Sequence, residues 1–548
     1  MIYANPFFRF CLGCLLLLLA CLFVGPVSAA DEADFKAQVQ ALNVKNFKNK
    51  QDAVQKFLKV DHPRTRVVAQ ALLDGKLYYR KADKQVFIAE AVDAGYRLID
   101  PLTGAPVETL GRRKVKKIGI NNKLRSLLSN GIAQLSLQNP DPAVRLASVR
   151  QMYSRIDAAS AAQLATLRAS ESDAGVISAI DIALALEGLS SVDKGQRLAA
   201  VKVLSGSLEP EARNRLQAML GKNADGDFSE SNPEVRKAAR RVLANINGKL
   251  QFNKLAETLF FGLSLGSVLL LAAIGLAITF GVMGVINMAH GELMMLGAYT
   301  AYLVQQLMPE HLGVSLLLAV PAAFLVAGGF GVFIERVIIR HLYGRPLETL
   351  LATFGLSLVL QQLVRTTISA QNVIVANPSW MSGSLEINPA LSLTANRLII
   401  IIFSLLVFGL LMLVLKRTSL GLQVRAVAQN RSMAKAVGIR SDWVDAMTFG
   451  LGSGIAGVAG VALSQLTNVG PNMGQGYIID SFMVVVFGGV GNLWGTLVGA
   501  MSLGVANKFL EPYSGAVLAK ILVLVFIILF IQKRPRGLFP QRGRAAES

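Results

Sequence analysis

From Leu255 onward the chain becomes a series of long apolar runs, near 257–281, 286–306, 312–335, 347–368, 397–415, 446–466 and 516–532. Each is long enough to cross a hydrocarbon layer of roughly 30 Å as a helix. Lipid offers no partner for backbone N–H and C=O groups, so runs of this kind fold as helices that satisfy themselves. A further stretch, Ser481 to Lys508, is broken at its middle by Gly488-Gly489-Val490-Gly491-Asn492. The expected fold class is all-α, with about eight membrane segments between 255 and 540, one of them Gly-broken or re-entrant.

The preceding half has different chemistry. Between Asp31 and Lys254 there are 36 Lys or Arg and 24 Asp or Glu, and no run that could span a bilayer. The overall figures of 53% hydrophobic residues and net charge +20 are therefore averages over two unlike parts. Asn139-Pro140-Asp141-Pro142-Ala143-Val144-Arg145 and Ser231-Asn232-Pro233-Glu234-Val235-Arg236 share a pattern: Pro beside capping residues, then apolar positions at three- and four-residue spacing. Asp61-His62-Pro63 opens a fainter copy. These segments resemble HEAT-type helical repeats, in which stacked helix pairs bury a shared core; unrelated helical hairpins are the other reading. The expectation is a helical domain over 31–250, with a small β-hairpin insert at about 76–120 where Leu77-Tyr78-Tyr79 and Gln85-Val86-Phe87-Ile88 precede Pro101, Gly104 and Pro106. Arg112 to Lys117 is a basic run without interleaved aromatic residues, which favours a solvated face or contact with a partner or anionic surface over nucleic acid. Asn223 to Asp227 lacks the register of a calcium loop.

Residues 1–30 read as a signal peptide: Arg9, an apolar run from Phe10 to Val24, then small residues to Ala30. A retained anchor helix and lipidation at Cys21 are the alternatives. All three cysteines, Cys11, Cys14 and Cys21, lie in this segment. With cleavage, Asp31 starts outside the cytoplasm. Basic clusters at Arg336, Arg340 and Arg345, at Lys416 to Arg440, and at Lys533 to Arg544 mark cytoplasmic loops by the positive-inside rule. That orientation leaves a cytoplasmic C-terminus only if 481–508 enters and returns on the outer side, as a re-entrant hairpin or two short helices. Gly488, Gly489, Gly491, Asn492 and Thr496, with Gln465, are then candidates for a polar pathway.

Within Gly275 to Glu292, the polar residues Asn287, His290 and Glu292 lie beside an apolar stretch, where burial is costly unless they are paired or wet. They either shape the mouth of a pathway or cap the second span. The loop from Lys416 to Ile439 alternates cations with small apolar residues and reads as an amphipathic helix ending at Gly438. Gly452-Ser453-Gly454-Ile455-Ala456-Gly457 fits G-x-G-x-x-G but has no preceding strand, so it reads as a small-residue packing face. No G-x-x-x-x-G-K-[ST] occurs, so the chain has no P-loop of this form, and no cofactor is called for.

The string ending at Glu292, the basic loop and Phe487 to Gly495 together resemble the inner-membrane permease subunits of branched-chain amino-acid-type ABC importers, over roughly 255–540. The N-terminal extension and Lys533-Arg534-Pro535-Arg536-Gly537-Leu538-Phe539 are most similar to the urea-transport branch of that family. The resemblance implies a non-enzymatic permease for urea. Its partners would be a second permease subunit, two cytoplasmic ATP-binding subunits and a periplasmic solute-binding protein. It also implies an ATPase-coupling helix carrying Arg425, Ala426, Asn430, Ala434, Gly438 and Ile439. Branched-chain amino acids or short amides are the alternative cargo. A passive channel or a membrane-tethered periplasmic scaffold is the rival class.

Overall fold

The computed structural model describes residues 29–44, 46–92, 95–222 and 226–539; the signal-peptide run with its cysteines, and part of the acidic loop at 223–227, lie outside them. The chain divides between Asn247 and Gly248 into two compact units.

The first unit opens with α1 (Ala29–Ala41), α2 (Phe47–Phe57) and α3 (Thr65–Leu73). A sheet of β1 (Leu77–Arg80), β2 (Val86–Val92), β3 (Gly95–Ile99), β4 (Pro106–Leu110) and β5 (Val115–Lys117) follows, in the order β4-β3-β2-β1-β5 and antiparallel throughout. The expected hairpin is present as β1 and β2, with Tyr78 opposite Phe87, but the insert is a five-stranded sheet. Pro101, Gly104 and Pro106 do not end it. They build a tight turn in which Asp100 Oδ1 accepts from Leu102 N at 2.7 Å, and β4 continues from Pro106 on the edge, where a missing N–H costs nothing. The other edge is the basic run: β5 carries Lys116 and Lys117, charges that discourage further strand pairing. Leu77, Val86 and Ile88 join Phe35, Phe57, Leu72, Leu124 and Leu128 in one apolar core.

Helices α4 (Asn122–Ser136), α5 (Pro142–Met152), α6 (Ala158–Ser170), α7 (Ala174–Gly188), α8 (Lys194–Val203) and α9 (Pro210–Met219) complete the unit before α10 (Pro233–Met283) begins. A repeated arginine clasp ties their loops. At α5, Asp141 caps by accepting from Ala143 N. Arg145 folds back onto the carbonyls of Asn139 and Pro140 at 2.7 and 3.0 Å and grips Glu171 with two bonds of 2.7 Å. At α8, Asp193 caps, and Arg197 binds the carbonyls of Ser191 and Val192 and both oxygens of Glu230. At α10, Asn232 accepts from Glu234 N, and Arg236 binds the carbonyls of Glu230 and Ser231. The proline-led pattern marks the first and third copies; the second, with Lys194 at the helix start, becomes visible only in three dimensions.

Among the described residues, six helices are long and apolar enough to cross a membrane: α10, which runs on into the second unit, and α12 (Leu312–Val337), α13 (Pro346–Thr367), α14 (Ala395–Arg417), α17 (Ser441–Ser464) and α20 (Ala516–Lys533) within it. The most apolar windows of α10 and α17 are 83% and 89% buried, against 17–33% for the other four, so α10 and α17 form the interior and the rest turn apolar faces outward. Helix α11 (His290–Leu307) packs against α12, α17 and α18 (Met473–Gly488). The expected span at 286–306 starts late because Gly284, at φ 68°, ends α10 and an irregular stretch follows. A short hairpin of β6 (Ser384–Asn388) and β7 (Leu391–Thr394) precedes α14.

Small residues let the interior helices approach at backbone distance. A Cβ on Gly275 would lie 2.2 Å from the Gly452 carbonyl, and one on Gly297 would lie 2.0 Å from that of Gly457. The Gly452 to Gly457 string is therefore where α17 meets α10, α11 and α12.

The broken segment extends beyond 481–508. It is the helix pair α18 and α19 (Leu493–Ser514), so the break forms the tip of a hairpin instead of an interruption at mid-depth. Gly489 and Gly491 take φ 107° and 79°, backbone that other residues rarely adopt, and Asn492 caps α19 by accepting from Trp494 N and Gly495 N. Residues after α20 return to cover this tip. Leu538 N donates to Phe487 O at 2.9 Å, Phe539 N to Gly488 O at 3.1 Å, and Asn492 Nδ2 to Phe539 O at 3.3 Å.

Candidate functional site

Three polar residues in the irregular stretch and first turn of α11 are almost wholly buried: Asn287, His290 and Glu292. Asn287 Oδ1 accepts from Ala289 N at 3.0 Å, a local turn bond, while its Nδ2 has no partner among the described residues. His290 Nε2 meets the Ala272 carbonyl of α10 at 2.9 Å, which makes that nitrogen the protonated one; Nδ1 is buried and unpartnered. Glu292 does not cap α11. It reaches α13, where Ser357 Oγ donates to Oε1 at 2.8 Å and Gln361 Nε2 donates to the same oxygen. Oε2 is buried without a partner.

Helix α13 meets this string with one line of residues. Thr349, Thr353, Ser357 and Gln361 follow one another at four-residue spacing, and all are buried. Thr353 Oγ1 accepts from Met288 N at 3.1 Å. Arg365 extends the line by one more turn and donates to Asn472 Oδ1 at 2.5 Å. Spacing of four keeps side chains on one helix face, so the line is a polar stripe on an otherwise apolar helix. Sequence reasoning missed it, although four polar residues at one helical period in an apolar run were there to be counted.

The remaining pathway candidates lie elsewhere. Gln465 follows α17; its Nε2 donates to Ser464 Oγ, and its buried Oε1 is unpartnered. Gly488 faces Gly495 across the hairpin, a Cβ there lying 2.3 Å from the Gly495 carbonyl. Thr496 is buried and bonds back to Asn492 O. Gly491 and Asn492 line a cleft of about 350 Å³ together with Gly281, Trp494, Lys416 and Arg425. The structure therefore separates one set of candidates into two groups: Asn287, His290 and Glu292 against α13, and the hairpin tip beside the basic loop.

That loop is two helices, not the single one expected: α15 (Ser419–Gln429) and α16 (Arg431–Ala436). Asn430 breaks it with extended backbone and starts the second helix by accepting from Met433 N at 2.9 Å. Gly438, at φ 88°, ends α16, and Ile439 N returns to Ala434 O at 3.0 Å, a close of the Schellman type. Arg425 donates to the Leu415 carbonyl, and Ala426 accepts from Asn430 N. Ala434 is buried against Val424, Val427 and Val444, leaving Leu422, Met433 and Val437 exposed. Arg431 lies over the Tyr343 ring, 3.9 Å from its centroid, and pairs with the buried Asp445 of α17. The Tyr343 hydroxyl donates to Met283 O. The first two basic clusters are thus joined by contacts at one end of this unit.

The family profile described as branched-chain amino acid transport system, permease component, matches residues 258–531. The high-affinity branched-chain amino acid permease protein LivH of Salmonella typhimurium is 32% identical over 297 residues, 53% of this chain and 96% of that protein. BraD of Pseudomonas aeruginosa is 32% identical over 292 residues, 52% of this chain and 94% of its own length. The probable LivH of Methanocaldococcus jannaschii is 26% identical over 285 residues, covering 50% and 88%. No solved structure gives a significant match.

The chain belongs to this permease family. It is a permease component of a branched-chain amino-acid-type ABC transporter, a transport subunit and not an enzyme. The matched region contains the α13 stripe, the α18–α19 tip and the α15–α16 loop, whereas the arginine-clasp unit lies before it. Multi-pass helices and permease relatives place this family member in the inner membrane.

Proposed function

We propose that this permease component is the translocation subunit of an ATP-driven importer of urea. The observation that carries the reading is the buried line of hydroxyl and amide groups on α13, Thr349, Thr353, Ser357 and Gln361, which faces the Asn287 to Glu292 string. A small neutral solute with donors and acceptors exchanges its water for such groups without needing a counter-ion. The resemblance of the N-terminal extension supplies the word urea. A second reading, branched-chain amino acids, is favoured by the names of LivH and BraD and by one feature of the site. Glu292 of α11, which bonds to the α13 line, and Arg365, which extends that line, offer opposite charges to a zwitterion.

The basic end would face the cytoplasm, consistent with the positive-inside rule, and the α15–α16 loop with exposed Leu422, Met433 and Val437 would receive one of two ATP-binding subunits. A second permease subunit and a solute-binding protein would complete the assembly. The clasp-bearing unit would be an exported HEAT-type domain behind a cleaved signal peptide, and a dock for the binding protein. The deciding experiment is uptake of labelled urea and labelled leucine into vesicles bearing the full assembly, with and without ATP and binding protein. ATP-dependent urea uptake that leucine does not compete supports the first reading, and ATP-dependent leucine uptake alone the second. Uptake without ATP marks a channel, and none at all marks a scaffold.

A further inference from the structure

We propose that Glu292, aimed by Ser357 and Gln361, is the point in the pathway that recognises a nitrogen-bound hydrogen of the cargo, either an amide NH2 or an ammonium. This rests on the transport reading above and adds to it the atom that meets the solute.

Two neutral donors engage one oxygen of the carboxylate. Ser357 Oγ lies 2.8 Å from Oε1, Gln361 Nε2 donates to Oε1 as well, and Gln361 Nε2 also lies 3.3 Å from Ser357 Oγ. Ser357 and Gln361 are one turn apart on α13, so together they hold Oε1 against that helix. Oε2 is buried, and no described group donates to it. A buried acceptor is ordinarily satisfied by protein or water, so an unmet carboxylate oxygen inside a membrane bundle marks a place where a donor is expected to arrive.

Backbone comes close to that oxygen. A Cβ on Gly474, at the start of α18, would lie 2.5 Å from Glu292 Oε2 and 2.4 Å from the Gly291 carbonyl. Glycine at 474 therefore leaves Oε2 its room, and the seal is a contact between two glycines on different helices, Gly291 of α11 and Gly474 of α18. Movement of α18 away from α11 would bare Oε2 without disturbing the bonds from Ser357 and Gln361 that hold Oε1. Arg365 stands one turn beyond Gln361, about 6 Å along the axis at 1.5 Å per residue, and binds Asn472, two residues before Gly474. That cation can donate to an amide carbonyl, but it pairs more strongly with the carboxylate of a solute that carries one.

The test uses the full assembly in vesicles, with labelled urea and labelled leucine as probes. E292Q is expected to raise KM for the transported probe by about tenfold, and S357A and Q361L by a few-fold each, with the maximal rate per assembled complex much less affected. S357T, which keeps the hydroxyl, is expected to return KM towards the wild-type value. Co-purification of the subunits measures assembly, and if E292Q fails to assemble, S357A and Q361L decide. R365Q separates the two kinds of donor: a large rise in KM for leucine marks an ammonium on a solute that also carries a carboxylate, and a KM for urea changed by no more than a few-fold marks an amide. Variants that assemble and keep KM within twofold of wild type overturn the inference while the transport reading stands, as does a fall in maximal rate alone. A wild-type assembly that moves neither probe overturns the transport reading and this inference with it.

Discussion

The two units solve the problem of buried polarity in opposite ways. In the clasp-bearing unit, loop carbonyls are gathered by Arg145, Arg197 and Arg236, the first two also gripping Glu171 and Glu230, and the one buried side-chain atom without a hydrogen bond among the described residues, Arg150 Nε, still lies 3.0 Å from Glu209. In the permease unit, helices are joined by glycine contacts at backbone distance, while Asn287, His290, Glu292, Tyr299, Ser453 and Gln465 each keep a buried atom unpartnered. A unit that only has to hold its shape satisfies its polar groups internally. A unit that passes a polar solute keeps hydrogen-bonding capacity in reserve and obtains rigidity from close packing instead.

The comparison breaks most easily at the glycines. G297A places a methyl 2.0 Å from the Gly457 carbonyl, where only backbone could move, so the expected cost exceeds the roughly 1–3 kcal/mol of ordinary overpacking. Loss of monodisperse protein in detergent is the expected readout. By contrast G409A, on α14 with nothing within 4 Å, should leave the thermal midpoint nearly unchanged. Equal tolerance of both would show that close approach is not what holds the unit together.

Next in size is R431A. Its partner Asp445 has a side chain only 3% exposed, and stranding one member of a buried pair costs about 3 kcal/mol. Thermal unfolding of the single variants and of R431A with D445N checks this, the double variant being expected to recover part of the loss. L538P removes the donor to the Phe487 carbonyl and should cost about 1 kcal/mol, seen as faster proteolysis after α20.

The smallest effect belongs to the clasp. Arg145, followed by the backbone N–H of Asp173, holds the Glu171 carboxyl at about 2, below its ordinary 4.5. A depressed value means stability that is present above pH 4.5 and lost as pH falls from there towards 2. E171Q should therefore lower the melting midpoint of the first unit modestly at pH 7, and the gap from wild type should narrow as pH falls from 4.5 and close below pH 2. A gap independent of pH would mean that the clasp works by shape and not by charge.

Much of this architecture can be read from the sequence. The apolar runs locate α10, α12, α13, α14, α17 and α20, because length and hydropathy alone decide whether a helix can span; the run at 286–306 locates α11, which is not among those six. The small residues from Gly452 to Gly457 announce a packing face, and Gly438 ends its helix as its lack of a side chain suggests. Features set by tertiary pairing were less legible. Strands β3 to β5 depend on partners across the sheet, and the turn at Pro101 to Pro106 resembles an exit as much as a connection. Asn430 splits the basic loop because its side chain caps a new helix, an option that amphipathic periodicity does not register. At the site, Glu292 stands out as a charge in an apolar setting, but its partners Ser357 and Gln361 are 65 and 69 residues away. Pairwise contacts of that kind are invisible to local pattern.

The strap over the hairpin tip provides a clock. The amides of Leu538 and Phe539 are tied to the last carbonyls of α18, so each can exchange its hydrogen for deuterium only when the strap lifts. Their exchange rates therefore report how often the α18–α19 tip is uncovered. Two isotopic signals outside the membrane helices would follow, in real time, whether the tip opens once per transport cycle or stays closed throughout.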